Sequence, residues 1–380
     1  MRRRLVILTE IIAPYRIPVF NALAELSEID LHVIFLSATD PSLRQWRVYT
    51  EEIRFSHEIL PSWRWRVGNY NLLLNRGVAA ALRRVAPEAV LCGGYSCLAF
   101  WQAAIWSRRH RVPMLLWSES TVHDARRKHA PVELLKARFR KWCRAFVAAG
   151  ESSVDYLISL GASRDSIFVA PDAVDVELYS TLAAKARQHP EEVRTRHQLP
   201  RRYFLCAGRV VREKGVFELL SAYAALDESV RSQVGLVFAG DGAARSQLQL
   251  LAGNIGAGSV RFSGFIQREQ MPELYALAEA LVFPTHSDPW GLVVNEAMAC
   301  GLPIIASEVA GCVADLVEDG RNGFVVPARD IAGLTAAMQT VFHQPALRAE
   351  MAAVSLHRVQ SFTPEAWAAG VAEAVSFACA

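Results

Sequence analysis

The chain has 380 residues, 52% of them apolar and 21% charged, with 41 Lys and Arg against 38 Asp and Glu for a net charge of +3. That composition excludes a disordered or fibrous protein, and the near-zero net charge argues against a general nucleic-acid binder. The length exceeds what one hydrophobic core supports, so two domains are expected.

The chain begins Met1-Arg2-Arg3-Arg4, then Leu5-Val6-Ile7-Leu8, then Thr9-Glu10. The apolar run is too short for a signal peptide and lacks a small-residue cleavage site, so it predicts a buried first strand. Strand-length apolar runs follow at Leu31–Leu36, Ala89–Cys92, Met114–Trp117 and Ala145–Ala148. After a break they resume at Tyr203–Ala207, Val234–Ala239, Val260–Phe262, Ala280–Phe283 and Pro303–Ala306. Helical spacing over Asn71–Val85, Val132–Arg144, Phe217–Leu226, Leu292–Cys300 and Ile331–Phe342 fills intervals between them. The longest apolar region, Ala89 to Trp106, holds Gly93-Gly94, Ser96 and Gln102. It reads as strand, loop and amphipathic helix, not as a membrane span.

Continuous apolar strands alternating with helices predict parallel sheets covered on both faces. The break is the polar stretch 183–202, with Pro190 and Pro200. The expected organisation is α/β: two doubly wound Rossmann-like domains facing across a cleft, 1–182 and 203–360, joined by a linker at 183–202. A C-terminal helix over 361–380 is expected to pack back on the first domain. Ligand loops in such folds sit at the carboxyl ends of strands. The seven cysteines are scattered with no C-x-x-C pair, which reads as reduced thiols of a cytosolic protein.

In the first half, three loops stand at such strand ends: Thr9 to Pro18 with Pro14-Tyr15-Arg16, Gly93-Gly94-Tyr95, and Ser118-Glu119-Ser120-Thr121-Val122-His123-Asp124. Residues 1–190 hold 26 basic and 18 acidic residues. The excess is concentrated in 126–144, with Arg126, Arg127, Lys128, Lys136, Arg138, Arg140, Lys141 and Arg144 against Glu133 alone. Leu134, Leu135, Phe139, Trp142 and Cys143 are interleaved, and a basic, aromatic helix of this kind can lie on an anionic membrane. A surface helix packing its apolar side on the sheet is the other reading, and both can hold.

In the second half, the first strand runs into Gly208-Arg209-Val210-Val211-Arg212-Glu213-Lys214-Gly215. Cations and glycines at a strand-to-helix turn suit a phosphate or diphosphate clamp through Arg209 and Lys214; alone they would also suit a solvated basic turn. Gly240-Asp241-Gly242 follows a later strand, where Gly permits close approach of a ligand or a neighbouring loop. The densest signal is the run 284–303, a strand end, then Asp288, Pro289, Gly291, then an apolar helix carrying Glu296. The amides of Gly291, Leu292 and Val293 lie where a helix start leaves donors for a phosphate. Glu296 can accept two hydrogen bonds from a ribose diol, and a carboxylate among buried-looking positions needs a partner.

Arg209 with Lys214, the Gly-Asp-Gly turn, Phe262-Ser263-Gly264-Phe265 and the 284–303 block recur in that order in GT-B-fold retaining glycosyltransferases of family 4, which residues 200–360 resemble. The family motif is Glu, seven residues, Glu; here it reads Asp288 and Glu296, with a shorter carboxylate first. The resemblance implies a nucleotide-sugar donor whose diphosphate is held by Arg209 and Lys214. Gly240, Gly264, Phe265 and Ile266 would lie on the donor side, the last three near the base, and Asp288 with the Gly291–Val293 amides would face sugar and diphosphate. Where many members carry Gly-Gly after the first strand, this chain is similar to a subgroup with Pro-Tyr-Arg. Tyr15 and Arg16 are thus acceptor-site candidates or a helix-start anchor, and Tyr95 joins them. A His near the position of His123 lies close to the transferring sugar in the family; Glu119 is the second candidate for that role. His123, Asp288, Arg209 and Lys214 form the expected catalytic set. The acceptor implied is a glycan or lipid-linked glycan in cell-surface polysaccharide or glycolipid synthesis. Docking through Lys136, Arg140, Lys141 and Arg144 would place the enzyme on the inner face of the cytoplasmic membrane.

No metal and no cofactor is expected, since two cations and backbone amides can stabilise the leaving diphosphate and no Asp-x-Asp triplet or His/Cys ligand spacing occurs. An NAD-dependent oxidoreductase would carry G-x-G-x-x-G; the nearest match, Gly240 to Arg245, lacks the third glycine. A non-catalytic nucleotide-sugar-binding protein is the other alternative. Donor base, sugar, acceptor and oligomeric state are not legible in the sequence.

Overall fold

The computed structural model describes residues 2–39, 46–67, 70–123, 130–255 and 259–380, without the side chains of 66–67, 70–72 and 130–134. Among the described residues the chain forms two units, one holding those up to Val122, 130–173 and Thr363–Ala380, the other His123 and Val174–Phe362.

The strands are β1 (Arg3–Ile11), β2 (Ile29–Ser37), β3 (Ser56–Ile59), β4 (Ser62–Val67), β5 (Tyr70–Asn75), β6 (Ala89–Cys92), β7 (Met114–Ser118), β8 (Ala145–Ala148) and β9 (Ile167–Val169) in the first unit. The second unit has β10 (Tyr203–Ala207), β11 (Gly235–Ala239), β12 (Val260–Gly264), β13 (Ala280–Phe283), β14 (Ile304–Ser307) and β15 (Gly323–Val326). The first sheet runs β3-β2-β1-β6-β7-β8-β9 and the second β12-β11-β10-β13-β14-β15. All their pairings are parallel. Both orders reverse once, between β1 and β6 and between β10 and β13. A crevice opens at such a switch point, beyond the carboxyl ends of the strands.

The central strands are uniformly apolar because both faces are covered. In β1, Leu5 and Ile7 point into one core and Val6 and Leu8 into the other. The first of these cores is closed by the helix Ile17–Glu25 and by the C-terminal helix Pro364–Cys379, whose Trp367 packs against Phe20 and Trp117 at 5.6 and 5.1 Å between ring centroids. Gly370 lets this helix touch the sheet, since a Cβ there would stand 2.2 Å from the Val169 carbonyl oxygen. The second sheet has its own core around Phe204, Phe238, Leu219 and Met338.

Two expectations are corrected. The stretch 183–202 is not an extended linker: it holds the end of the helix Val176–Gln188 and the helix Pro190–His197, within the second unit. His197 Nε2 sits 2.5 Å from Glu273 Oε2, so this polar helix is tied down by charge where it lacks apolar residues. The helix expected over 71–85 is a strand followed by a shorter helix: β5 pairs antiparallel with β4, and the helix Val78–Val85 begins after Gly77. The alternation Trp63, Arg64, Trp65, Arg66 is a period-two pattern that outweighs the helical spacing of the leucines after it. All seven cysteines are free, four of them buried.

Candidate functional site

The second unit builds its site from the loops after β10 and β13, the two sides of the switch point. After β10 the chain makes a short 3-10 turn, Arg212–Lys214, and Gly215 takes φ +65° before the helix Val216–Ala224. A Cβ on Gly215 would lie 1.9 Å from the Pro284 carbonyl oxygen, so only glycine lets the two loops meet. The Glu213 carbonyl then accepts from the His286 amide at 2.9 Å and from Thr285 Oγ1 at 3.2 Å. His286 Nε2 lies 3.2 Å from Glu218 Oε1. Thr285 and His286 were not singled out in the sequence, where they read as ordinary loop residues.

This junction brings Lys214 and Asp288 into an ion pair, with side chains 16% and 17% exposed. Asp288 also accepts the Trp290 amide at 3.3 Å, and its carbonyl accepts from the Gly311 amide at 3.0 Å. Trp290 is buried and donates Nε1 to Asn295 Oδ1 at 2.9 Å, which pins the loop onto the helix Leu292–Ala299. Gly291 has φ +105°, and a Cβ there would strike the Phe283 ring at 2.7 Å. Gly291, Leu292 and Val293 thus open the helix with amides that have no intrahelical acceptor. Arg209 is exposed on the same β10 loop, with no carboxylate partner among the described residues.

Glu296 is held rather than open. Its Oε2 accepts from the Tyr275 hydroxyl at 2.7 Å, and the Tyr179 hydroxyl is a second donor. Burial pushes the Glu296 carboxyl above the usual carboxylate range, and the two tyrosines pull it part of the way back. Neither tyrosine was foreseen: both sit on apolar helix faces, and only the packing of three helices brings them to one carboxylate.

Gly240 and Gly242 serve the neighbouring loop, the second of the two readings of that turn. A Cβ on Gly240 would be 1.7 Å from the Gly208 carbonyl oxygen, and one on Gly242 2.4 Å from that of Val210. The Val210 amide donates to the Asp241 carbonyl at 2.9 Å. The glycine turn nearest a dinucleotide fingerprint is therefore filled by protein backbone, which weighs against the oxidoreductase alternative. Gly264 ends β12 with φ +73°, its carbonyl accepting the Gly240 amide at 2.7 Å. Phe265 beyond it is exposed and Ile266 half-buried.

In the first unit, Arg16 and Glu119 find each other. Arg16 Nη2 donates to Glu119 Oε1 at 2.8 Å and Nη1 to Thr9 Oγ1 at 2.9 Å, with the guanidinium 4.3 Å over the Trp117 ring. Burial alone would lower the affinity of this guanidinium for its proton, but the Glu119 charge and its neighbours outweigh it and the group is held fully cationic. This is the helix-start anchor reading. Arg16→Ala is expected to cost about 3 kcal/mol, from lost charge-assisted hydrogen bonds and a cation–π contact, measured by denaturant unfolding. Unchanged stability with a raised acceptor KM would return Arg16 to substrate binding.

Tyr15 packs edge-on against Trp46 at 5.8 Å. Glu10 Oε1 accepts from Ser96 Oγ at 2.8 Å, joining the β1 and β6 loops across the switch point, a contact the sequence did not signal. Tyr95 lies 5.5 Å beneath Lys136 Nζ, which also donates to Tyr156 Oη at 3.1 Å. Arg140 Nη1 donates to the Gly161 carbonyl at 2.8 Å. Two of the four expected membrane cations therefore serve the fold, while Lys141 and Arg144 are exposed; Arg126–Lys128 and Asp124 lie outside the described residues. His123 is exposed and belongs with the second unit, where Ser287 Oγ donates to its backbone carbonyl at 3.2 Å.

Comparison with known proteins bears on this geometry. Residues 190–355 match the family described as glycosyl transferases group 1. The chain is 28% identical over 269 residues to the alpha-D-kanosaminyltransferase of Streptomyces kanamyceticus, covering 69% of each chain. It is 29% identical over 337 residues to the D-inositol 3-phosphate glycosyltransferase of Streptomyces scabiei, covering 84% of this chain and 71% of that one. In fold it is similar to Anabaena HepE solved with UDP-glucose, at TM-score 0.77 and 20% identity over 99% of this chain and 100% of that one. Both units thus have the Rossmann-like architecture of GT-B glycosyltransferases.

Proposed function

We propose that this chain, whose residues 190–355 form a glycosyl transferases group 1 domain, moves a glycosyl group from a nucleoside diphosphate sugar to a glycan or lipid-linked acceptor, with retained anomeric configuration. The observation that carries this reading is the Lys214–Asp288 pair at the β10/β13 switch point, flanked by Arg209 and the opening amides of the helix Leu292–Ala299. The pair is a ready-made exchange. On donor binding Lys214 leaves Asp288 for the diphosphate, and the freed carboxylate accepts from a sugar hydroxyl. Arg209 needs to leave no carboxylate, and the amides are already aimed outward from the helix end. Glu296, held by two tyrosines, takes the ribose diol.

Lys214, Arg209 and the amides supply fixed positive potential to the departing diphosphate without solvent reorganisation, so transfer proceeds without a divalent ion. The acceptor attacks on the face the diphosphate leaves, and a donor phosphate oxygen takes the acceptor proton. His123 is proposed to contact the transferring sugar. The solved HepE complex contains UDP-glucose, which makes UDP-sugars the first donors to try.

No described helix is long and apolar enough to cross a membrane. The excess of cations in the first half supports contact with an anionic membrane surface, on the inner leaflet, where lipid-linked acceptors for cell-surface polysaccharide or glycolipid synthesis would be met. A panel of UDP-, GDP- and ADP-sugars, assayed with chelator present, tests the reading. Acceptor-dependent release of one nucleoside diphosphate is expected. Tight nucleotide binding without release under every acceptor tried would make the protein a binding module instead.

A further inference from the structure

The antiparallel ribbon β4–β5 stands apart from both sheets, and its side chains divide by face. Trp63 and Trp65, two positions apart and so on one face, are 52% and 71% exposed. Arg64, on the other face, donates Nη2 to the Thr39 carbonyl at 2.7 Å and ties that side of the ribbon to the end of β2. Large exposed indoles paired on one face are unusual for a soluble surface and mark an interaction site.

The ribbon leads directly into a basic groove. Arg76, at its base, sits 5.0 Å from the Trp63 ring. It also lines an open groove of about 610 Å³ between the helices Val78–Val85 and Leu98–His110, together with Arg83, Arg109 and His110. No Asp or Glu lines this groove, and none of Arg76, Arg83 and Arg109 is ion-paired to a described residue. Three exposed permanent cations lining one groove without an acid among its lining make a positive surface suited to a polyanion.

We propose that Trp63, Trp65 and the Arg76–Arg83–Arg109–His110 groove form a docking surface for an anionic lipid bilayer. The indoles would enter the headgroup region, where an amphipathic ring is most stable, and the groove would take lipid phosphates. The exposed indoles stand on the ribbon, while the one indole lining the groove, Trp106, is buried and stacked on His110, so the groove offers cations without an open stacking ring. A single-stranded nucleic-acid groove instead interleaves stacking rings among the cations along its length. A neutral glycan could stack on the indoles but leaves the cations unexplained. The proposal rests on the membrane reading above but moves the contact from the basic stretch 136–144, where Lys136 and Arg140 are engaged by the fold, to this ribbon and groove.

The test is binding of the full chain to phosphatidylcholine vesicles with and without about 30% phosphatidylglycerol, followed by sedimentation. Wild type is expected to bind the anionic vesicles only. W63S/W65S should weaken binding about tenfold, and R76E/R83E/R109E about a hundredfold or more, at about fivefold per cation. Hydrogen exchange of unmodified protein should slow over 62–76 on vesicle addition, a readout that survives if a variant misfolds. No wild-type binding to anionic vesicles defeats the membrane reading itself. Wild-type binding lost in K141E/R144E, yet unchanged in both ribbon and groove variants with no protection over 62–76, overturns only the present proposal. Retention of single-stranded RNA or of a neutral glycan by these residues in place of vesicles overturns it as well.

Discussion

Lys214→Ala is expected to lower kcat by about 10²–10³, the usual loss when one preorganised donor to a developing anion is removed. Arg209→Ala should do the same, but the two differ in what they do to the folded state. Arg209 is exposed, with no described acid to leave behind, so its removal should leave unfolding unchanged. Lys214 neutralises an Asp288 side chain that is only 17% exposed, so Lys214→Ala strands a carboxylate and should cost about 1–3 kcal/mol of stability. Lys214→Ala with Asp288→Ala should recover most of that stability and none of the activity. Unfolding curves and single-turnover rates on the three variants check this. A near-normal kcat in either single variant would remove that cation from the site.

Glu296→Gln is expected to raise donor KM about 10–100-fold with a smaller change in kcat, since two hydrogen bonds to a charged acceptor are traded for a neutral amide. The pH dependence has a distinctive sign. Burial holds the Glu296 carboxyl above its ordinary value, so the folded protein binds this proton more tightly than the unfolded chain does. Its contribution to stability is therefore fully present below the ordinary carboxylate range and is lost as pH rises through the raised folded value. Wild type should lose stability relative to Glu296→Gln over that rise, while its donor affinity improves as the carboxylate forms. Tyr275→Phe removes one of the two donors that stabilise the charge, so the acid limb of donor binding should move to higher pH. Parallel titrations of Tm and donor KM test the pair of trends. If donor KM rises or stays flat while Tm falls with rising pH, Glu296 is not the group that binds ribose.

Much of the scaffold was legible in the chain. β6, β8, β10 and β13 coincide with apolar runs end for end, because a strand buried on both faces has no polar position inside it. The alternation of strands and helices carried the α/β class, and residue type with spacing placed Arg209, Lys214 and Asp288 in loops after strands of one domain and Glu296 on the helix that follows. What failed was local. β4 and β5 were hidden by a run of leucines that also fits a helix, and 183–202 read as a linker because its second helix, Pro190–His197, is held by ion pairs to Glu273 and shows little apolar period.

The sequence alone therefore determined which charges and glycines stand in each strand-end loop, since those follow from residue type and position along the strand. Only the tertiary structure decided their partners. Strand order puts the β10 loop beside the β13 loop, although 74 residues separate Lys214 from Asp288. The same kind of packing gives Glu296 two tyrosine donors from other helices and gives Arg16 to Glu119. It turns Gly240 toward Gly208 and gathers Arg76, Arg83 and Arg109 into one groove. A charge seeks its counter-charge through space and not along the chain, so the pairing of charges is the part of the site that had to await the fold.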